Sequence, residues 1–483
     1  MYNDNICKPL KYEPDNKTRE GMTQISTPIN ETAGDTSGRH QSGNCETTVQ
    51  QKPEYFPSSF YVANVMEIFE RLAWYGFFTL SSLYMTNSVG QGGLGLSDAE
   101  RGTIQGVVPF LLYLLPVFTG ALGDRYGYKR MFFLAFAIMT PGYYLLGQVS
   151  GFWPFFAILL LVAVGAAIFK PLVVATVSRT TNNQNRALGF GIFYTMINVG
   201  GFVGPVVAGI VKGISWDWVF SVAACWIAVN FLLLVFYREP SVSSGATSQS
   251  VPADRQSILR DITKVLQNRQ FVLYLLIMSG FWACYNQLFL TLPLYIRDFV
   301  DTSPLLEQIE SLSPSIANTI SEGTPGQISP EFITAFNFGS ILLLQVAISQ
   351  FSKRFASLHV LISGTCVMAA SFLWMGFGPV LGGIGIVFAV IAFSLGEMLT
   401  SPKSQEYVAE SMPSSQAALF MGYYFLSMAI GFLVAGLLSG WGYGYLAKSL
   451  GRPDWMWGGF AALSVCCATA LLWYHIRVLG NRR

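Results

Sequence analysis

NVMEIFERLAWYGFF, Asn64 to Phe78, is the stretch that decides the fold. It sets Glu67, Glu70 and Arg71 inside an apolar run that is otherwise long enough to cross a bilayer. Their i, i+3, i+4 spacing puts all three on one face of a helix, with Trp74 a turn further along. A charged side chain at mid-membrane costs roughly 3 kcal/mol, so three cost about 9 kcal/mol if none is compensated. A solvated interfacial helix would escape that cost, but apolar residues flank the cluster on both sides. Charges at such depth line a polar pathway, so this helix is expected to face an internal cavity.

The rest of the chain has the composition such a helix needs. Of 483 residues, 52% are hydrophobic and only 12% charged, about half the charge of a soluble domain. Mean hydropathy is +0.45. These values indicate an all-α, multi-pass membrane protein embedded in a lipid bilayer. The net charge of +2 gives no case for a nucleic-acid partner. The seven Cys residues show neither a metal spacing nor a disulfide framework. No nucleophile–base pair or phosphate loop lies at membrane depth, so no enzyme and no metal site are expected.

Twelve apolar segments are long enough to span, from 58–87 at the start to 455–478 at the end. They fall into two groups of six. The predicted organisation is a disordered cytoplasmic tail over 1–55, a six-helix half over 56–238, a cytoplasmic linker over 239–270 and a second six-helix half over 271–483. A further polar loop, Asp301 to Pro330, follows the seventh segment. Arg125, Lys129, Arg130, Arg179, Arg186, Lys353 and Arg354 all fall in loops on one side. The other side's loops are read as holding few cations, among them Arg101, Lys212, Lys448 and Arg452. The excess of Lys and Arg places both termini in the cytoplasm, and the plasma membrane is the expected location.

The halves echo one another. FFTLSSLYM (Phe77–Met85) resembles LFLTLPLYI (Leu288–Ile296). Tyr194 and Gly201-Phe202 align with Tyr424 and Gly431-Phe432, and Lys170-Pro171 with Ser401-Pro402 at nearly the same offset. Two parallel six-helix repeats leave this trace, and substrate sites in such folds lie near the midplane between the halves.

GALGDRYGYKR (Gly120–Arg130) resembles the signature loop of the major facilitator superfamily, in which Asp124 and the basic residues form a charge cluster. EIFERLAWYG narrows the resemblance to the E-x-x-E-R-F-x-Y-Y-G stretch of the proton-coupled oligopeptide transporter family, which includes the plant nitrate transporters. Tyr113, Lys170 in FKPLVVATV, Tyr194 and Asn198 in FYTMINVGGF, Phe281-Trp282, Asn337, and Glu397 in GEMLTSP resemble further motifs of that family. The matches run from about residue 60 to 440. The resemblance implies the twelve-helix facilitator fold and a proton-coupled symporter of di- or tripeptides, or of a related small organic solute, working by alternating access. It implies the proton as coupling ion and no other cofactor. Glu67 and Glu70 become proton-linked acids with Arg71 as their partner. Lys170 and Glu397 become a pair across the halves that closes the cytoplasmic gate. Trp74, Tyr75, Tyr113, Tyr194, Asn198, Trp282, Asn286, Gln287 and Asn337 become the substrate surround.

This chain departs from the family in a paired way. Phe78 stands where peptide-binding members carry a second Arg, and Asn286, followed by Gln287, stands where they carry an acid. Losing both removes a buried ion pair without stranding a charge, and it removes one cationic anchor for a peptide carboxylate. A competing motif, GGFVGPVVAG (Gly200–Gly209), approximates the segment-five motif of drug–proton antiporters, or is small-residue helix packing. Proton-driven efflux is therefore the first alternative function. A transporter-shaped nutrient receptor is the second.

Overall fold

The computed structural model describes residues 55–119, 122–182, 184–240, 267–321, 324–411 and 417–479. The expected disordered tail and most of the expected linker lie outside the described residues. Twelve long helices run through the rest: α1 (Ser58–Thr86), α2 (Asp98–Leu114), α3 (Tyr128–Leu146), α4 (Phe152–Arg179), α5 (Arg186–Ile214), α6 (Trp216–Phe236), α7, α8 (Pro330–Ser352), α9 (Ser357–Gly376), α10 (Gly378–Ser411), α11 (Ala417–Trp441) and α12 (Pro453–Tyr474). Helix α7 is broken into Arg269–Tyr285, Gln287–Leu290 and Leu292–Phe299. Ten of the twelve are long and apolar enough to cross a membrane. Of the other two, α1 interrupts its apolar run with the three charges, and α3 opens on Lys129-Arg130.

Local sequence explains the ends. Ser97 caps α2 by accepting from the Glu100 amide while Glu100 Oε2 accepts from the Ser97 amide at 2.9 Å. In α7, Pro293 has no N–H to offer the preceding turn. The Leu290 carbonyl, at the end of the segment before the break at Thr291, accepts from Ser82 Oγ at 2.8 Å and from Arg101 Nη1 at 3.1 Å. The polar loop read over Asp301 to Pro330 contains two short helices, Ser303–Leu312 and Pro314–Ser321. Of the signature loop, Asp124 pairs with Arg179 at the end of α4, at 2.5 Å, and accepts from the Tyr128 hydroxyl. Gly120 and Ala121 lie outside the described residues.

The repeat is visible in the packing. In the first half α1 packs on α5, and α3 on α4 and α6; in the second, α7 packs on α11, and α9 on α10 and α12. Gly200 lets α5 approach the Arg71 side chain, where an added Cβ would come 2.4 Å from Arg71 Cβ, and Gly431 does the same for α11 against Trp282. Gly200 and Gly204 of the GGFVGPVVAG stretch thus serve tight packing of α5 on α1.

The halves meet along two seams, α2 on α11 and α5 on α8. Both lie toward the end where α1 finishes and α2 begins, here called the sealed end. A Cβ on Gly102 would lie 2.4 Å from the Gly436 carbonyl, and one on Gly436 would lie 2.4 Å from Gly106. Adding atoms to such a crossing costs about 1–3 kcal/mol. Gly436→Val is therefore expected to lower the melting temperature of the purified protein, whereas Gly458→Val, at a site with nothing within 4 Å, leaves it unchanged. Equal melting temperatures for the two variants would show that the glycine crossing does not hold the seal.

Candidate functional site

Helix α1 carries the centre of the site. Arg71 Nε lies 3.2 Å from Glu67 Oε1, and its Nη2 contacts Glu70 Oε2. Glu70 is 0% and Arg71 4% exposed, so one buried guanidinium is shared by two acids, and the group keeps one negative charge when both are ionised. The guanidinium also lies over the Tyr75 ring, 5.8 Å from its centroid. Lys170 of α4 is within electrostatic reach of both Glu67 and Glu70, with its Nζ 4.4 Å from the Tyr113 ring centroid. Glu67, Glu70, Arg71, Tyr75, Tyr113 and Lys170 thus form one group in the first half.

The second half supplies the facing wall. Tyr75 packs edge-on to Phe338 of α8 at 4.8 Å, and Tyr113 stacks on Phe432 of α11 at 5.4 Å. Behind them, Asn337 Nδ2 donates to Glu397 Oε2 at 2.8 Å and to Ser394 Oγ at 3.1 Å. Tyr285 also lies beside the Glu397 carboxylate. Tyr194 is 39% exposed, and Asn198 donates to the Tyr194 carbonyl.

The expected Lys170–Glu397 ion pair is not formed. Lys170 lies over the Tyr113 ring within electrostatic reach of Arg71, Glu70 and Glu67, and Glu397 is held by Asn337 within its own half. The reason is the seam geometry: the halves meet at the sealed end, and α4 and α10 make no comparable seam. In this conformation the two residues stand apart.

Three of the expected substrate contacts point elsewhere. Trp282 Nε1 donates to the Tyr424 hydroxyl at 3.2 Å. Gln287 donates to the Ala283 and Ala435 carbonyls and accepts from Thr291. Asn286 donates to the Trp282 carbonyl and ends the first part of α7. All three are buried in bonds within the second half. Trp74 stacks on Phe78 at 5.2 Å, and Phe78 reaches Phe289 and Phe432 across the seam. An aromatic cluster thus occupies the place where the family's second Arg would stand.

Sequence reasoning missed the polar groups of the seal. Arg101 was counted as a loop cation, yet it is 0% exposed. It donates to Gln105 at 2.9 Å and to the Leu290 carbonyl, and to Ser439 Oγ at 3.0 Å, joining α2 to α7 and α11. Lys212, also counted as a loop cation, is paired with Glu331 of α8. A signal for Arg101 existed in RGTIQG, where Arg and Gln four apart sit beside Gly and Gly four apart. That pattern marks a close helix crossing with a polar stripe along it.

A sequence profile described as Major Facilitator Superfamily matches residues 65–321. The chain belongs to the Major Facilitator Superfamily. The multidrug resistance protein MdtH of Salmonella typhi is 23% identical over 410 residues, covering 84% of this chain and 92% of MdtH. MdtH of Escherichia coli (strain K12 / DH10B) gives the same values. Among solved structures, the peptide transporter POT in complex with sulfate aligns at a TM-score of 0.71 with 19% identity, over 89% of this chain and 96% of that one. A POT family transporter in complex with 5-aminolevulinic acid aligns at 0.70 with 16% identity, over 86% and 96%. A mutant of the nucleoside transporter NupG aligns at 0.67 with 16% identity, over 86% and 99%. This superfamily member is a transporter rather than an enzyme, a divergent one with the fold of the peptide transporters its motifs resemble.

Removing one partner from a buried ion cluster costs about 3–5 kcal/mol, because a charge is left without compensation. Arg71→Met is expected to lower the melting temperature in detergent sharply. Combining it with Glu67→Gln and Glu70→Gln is expected to recover most of the loss. A triple variant no more stable than Arg71→Met would mean that the arginine acts through packing rather than charge.

Proposed function

We propose that this transporter is a proton-coupled symporter that moves a small organic solute, of the peptide class or related to it, by alternating access. The single observation behind this reading is the buried Glu67–Arg71–Glu70 cluster on α1, facing Lys170 across a midplane site. Arg71 favours the ionised acids, while burial favours the neutral ones. A carboxyl held between the two takes up a proton on one side and gives it back on the other. Release of Arg71 from a protonated acid frees it, or Lys170, for an anionic group on the solute. When the halves rock, Lys170 and Glu397 approach and shut the end opposite the seal.

The aromatic faces of Tyr75, Tyr113 and Tyr194 suit a ligand with apolar and polar parts. The solute and the protons are thus the proposed partners, in the plasma membrane with both termini cytoplasmic. Proton-driven efflux is the second reading. The likeness to multidrug resistance protein MdtH over most of both chains favours it, as does the aromatic Phe78 where a second Arg would anchor a carboxylate.

Proteoliposomes separate the two. An inward proton gradient is expected to drive accumulation of radiolabelled dipeptide; net loss of a preloaded drug-like cation under the same gradient would instead establish efflux. Glu70→Gln is expected to abolish concentrative uptake while leaving counterflow exchange partly intact. Normal accumulation in that variant would remove Glu70 from the coupling step. Phe78→Arg with Asn286→Glu is expected to shift selectivity in competition assays toward peptides, and unchanged selectivity would disconnect the missing pair from substrate choice.

A further inference from the structure

An ionic contact joins the halves at the α5–α8 seam, well away from the α1 cluster. Lys212, near the end of α5, places Nζ 2.5 Å from Glu331 Oε1 at the start of α8. Glu331 is 0% exposed, and among the described residues its carboxylate has no hydrogen-bond partner beyond this ionic contact. Gly209 makes room for it, since a Cβ there would come 2.9 Å from Glu331 Cγ. The pair joins the two halves and sits on different helices from the α1–α7 pair that Phe78 and Asn286 have replaced.

Lys212 also helps to line a partly open cavity of about 490 Å³ at the sealed end, with Arg297, Trp216, Asn87, Gln91 and Thr324 among the other lining residues. Among the described residues, the lining holds two cations and no acid; their partners, Glu331 and Asp298, lie outside it. Each half supplies one of the two cations. Arg297 of α7 donates to Asn87 Oδ1 at 2.6 Å and to Thr86 Oγ1 at 3.2 Å at the end of α1. Both cations therefore hold the seal and face the cavity at once. Its volume is in the range of small-ligand sites.

We propose that this cavity receives an oxyanion, a carboxylate or phosphate group of the solute, and that Lys212–Glu331 is the latch which the oxyanion releases. An oxyanion bound to Lys212 and Arg297 competes with Glu331 and Asn87 for the same donors. Glu331 is then a buried carboxylate without a counter-charge, a state the closed seal does not tolerate. Parting of α5 from α8 lets water reach it, and the site opens on this side. The inference rests on the transport reading above and adds to it the charge of the solute and the group that senses it.

The test uses the full chain in nanodiscs, with spin labels carried on unnatural amino acids at positions 89 and 312. Val89 and Leu312 are both exposed and lie one in each half. The wild type is expected to give a short distance. Lys212→Gln and Glu331→Gln are each expected to raise a long-distance population about tenfold. The swap of Lys212→Glu with Glu331→Lys restores the short distance. Millimolar succinate or inorganic phosphate raises the long-distance population of the wild type, while chloride at matched ionic strength does not. The swapped protein, with its latch intact but an acid in the cavity wall, does not respond. Wild-type distances in both single variants, at unchanged melting temperature, would overturn the latch. An equal response to chloride would overturn the oxyanion site. Should the swapped protein not fold, Glu331→Gln alone decides the latch and the wild-type titration alone decides the ligand. No proton gradient is present in these measurements, so their failure is distinct from failure of the symport reading, which the proteoliposomes decide.

Discussion

A guanidinium held between two carboxylates inside a membrane helix is the constraint on which this protein is built. Arg71, Glu67 and Glu70 have no water to solvate them, so they solvate one another. That need fixes what surrounds α1. Gly200 and Gly204 bring α5 against its back, Lys170 and Tyr113 close on its charged face, and Phe338 and Phe289 meet Tyr75 from the other half. A cluster in which one guanidinium is shared by two acids is also one that can exchange partners. Protonation of either acid changes what Arg71 holds, and any group that moves Arg71 changes which acid is ionised.

The seal follows a different physical rule. Where α2 crosses α11, glycines face glycines and the backbones nearly touch. Arg101 bridges this crossing and takes the carbonyl that the break in α7 leaves without a helical donor. Close backbone contact and several polar bonds hold the crossing together. The α5–α8 seam beside it is held by one ion pair and one glycine gap. Of the two seams, this second one is more readily undone, because a competing ion removes its main bond while the first has no single bond to lose.

The two halves are unequal in charge despite their shared packing. The first concentrates its acids and cations around α1 and α4. The second buries Glu397 in a network of Asn337, Ser394 and Tyr285, and Glu331 against Lys212 of the first. Gly431 and Trp282 stand in the second repeat where Gly200 and Arg71 stand in the first. The fold was duplicated in its helix packing, while the chemistry was placed on one side of the pseudo-symmetric interface.

Much of this was legible in the chain itself. Apolar segment lengths determined the twelve helices, because a bilayer leaves the backbone no alternative. The spacing of Glu67, Glu70 and Arg71 determined one shared face, because helical geometry is local. Tertiary structure alone decided which charges meet. Lys170 stands by the α1 acids rather than Glu397, since the pairing depends on which end the halves close. Gln287 and Trp282 turn into their own half because α7 packs on α11, where the Ala435 carbonyl and the Tyr424 hydroxyl accept from them. Arg101 and Lys212 looked like loop charges, because a residue at a helix end is soluble or buried according to what crosses it there. Crossings between helices hundreds of residues apart are set by summed packing, which no local pattern encodes.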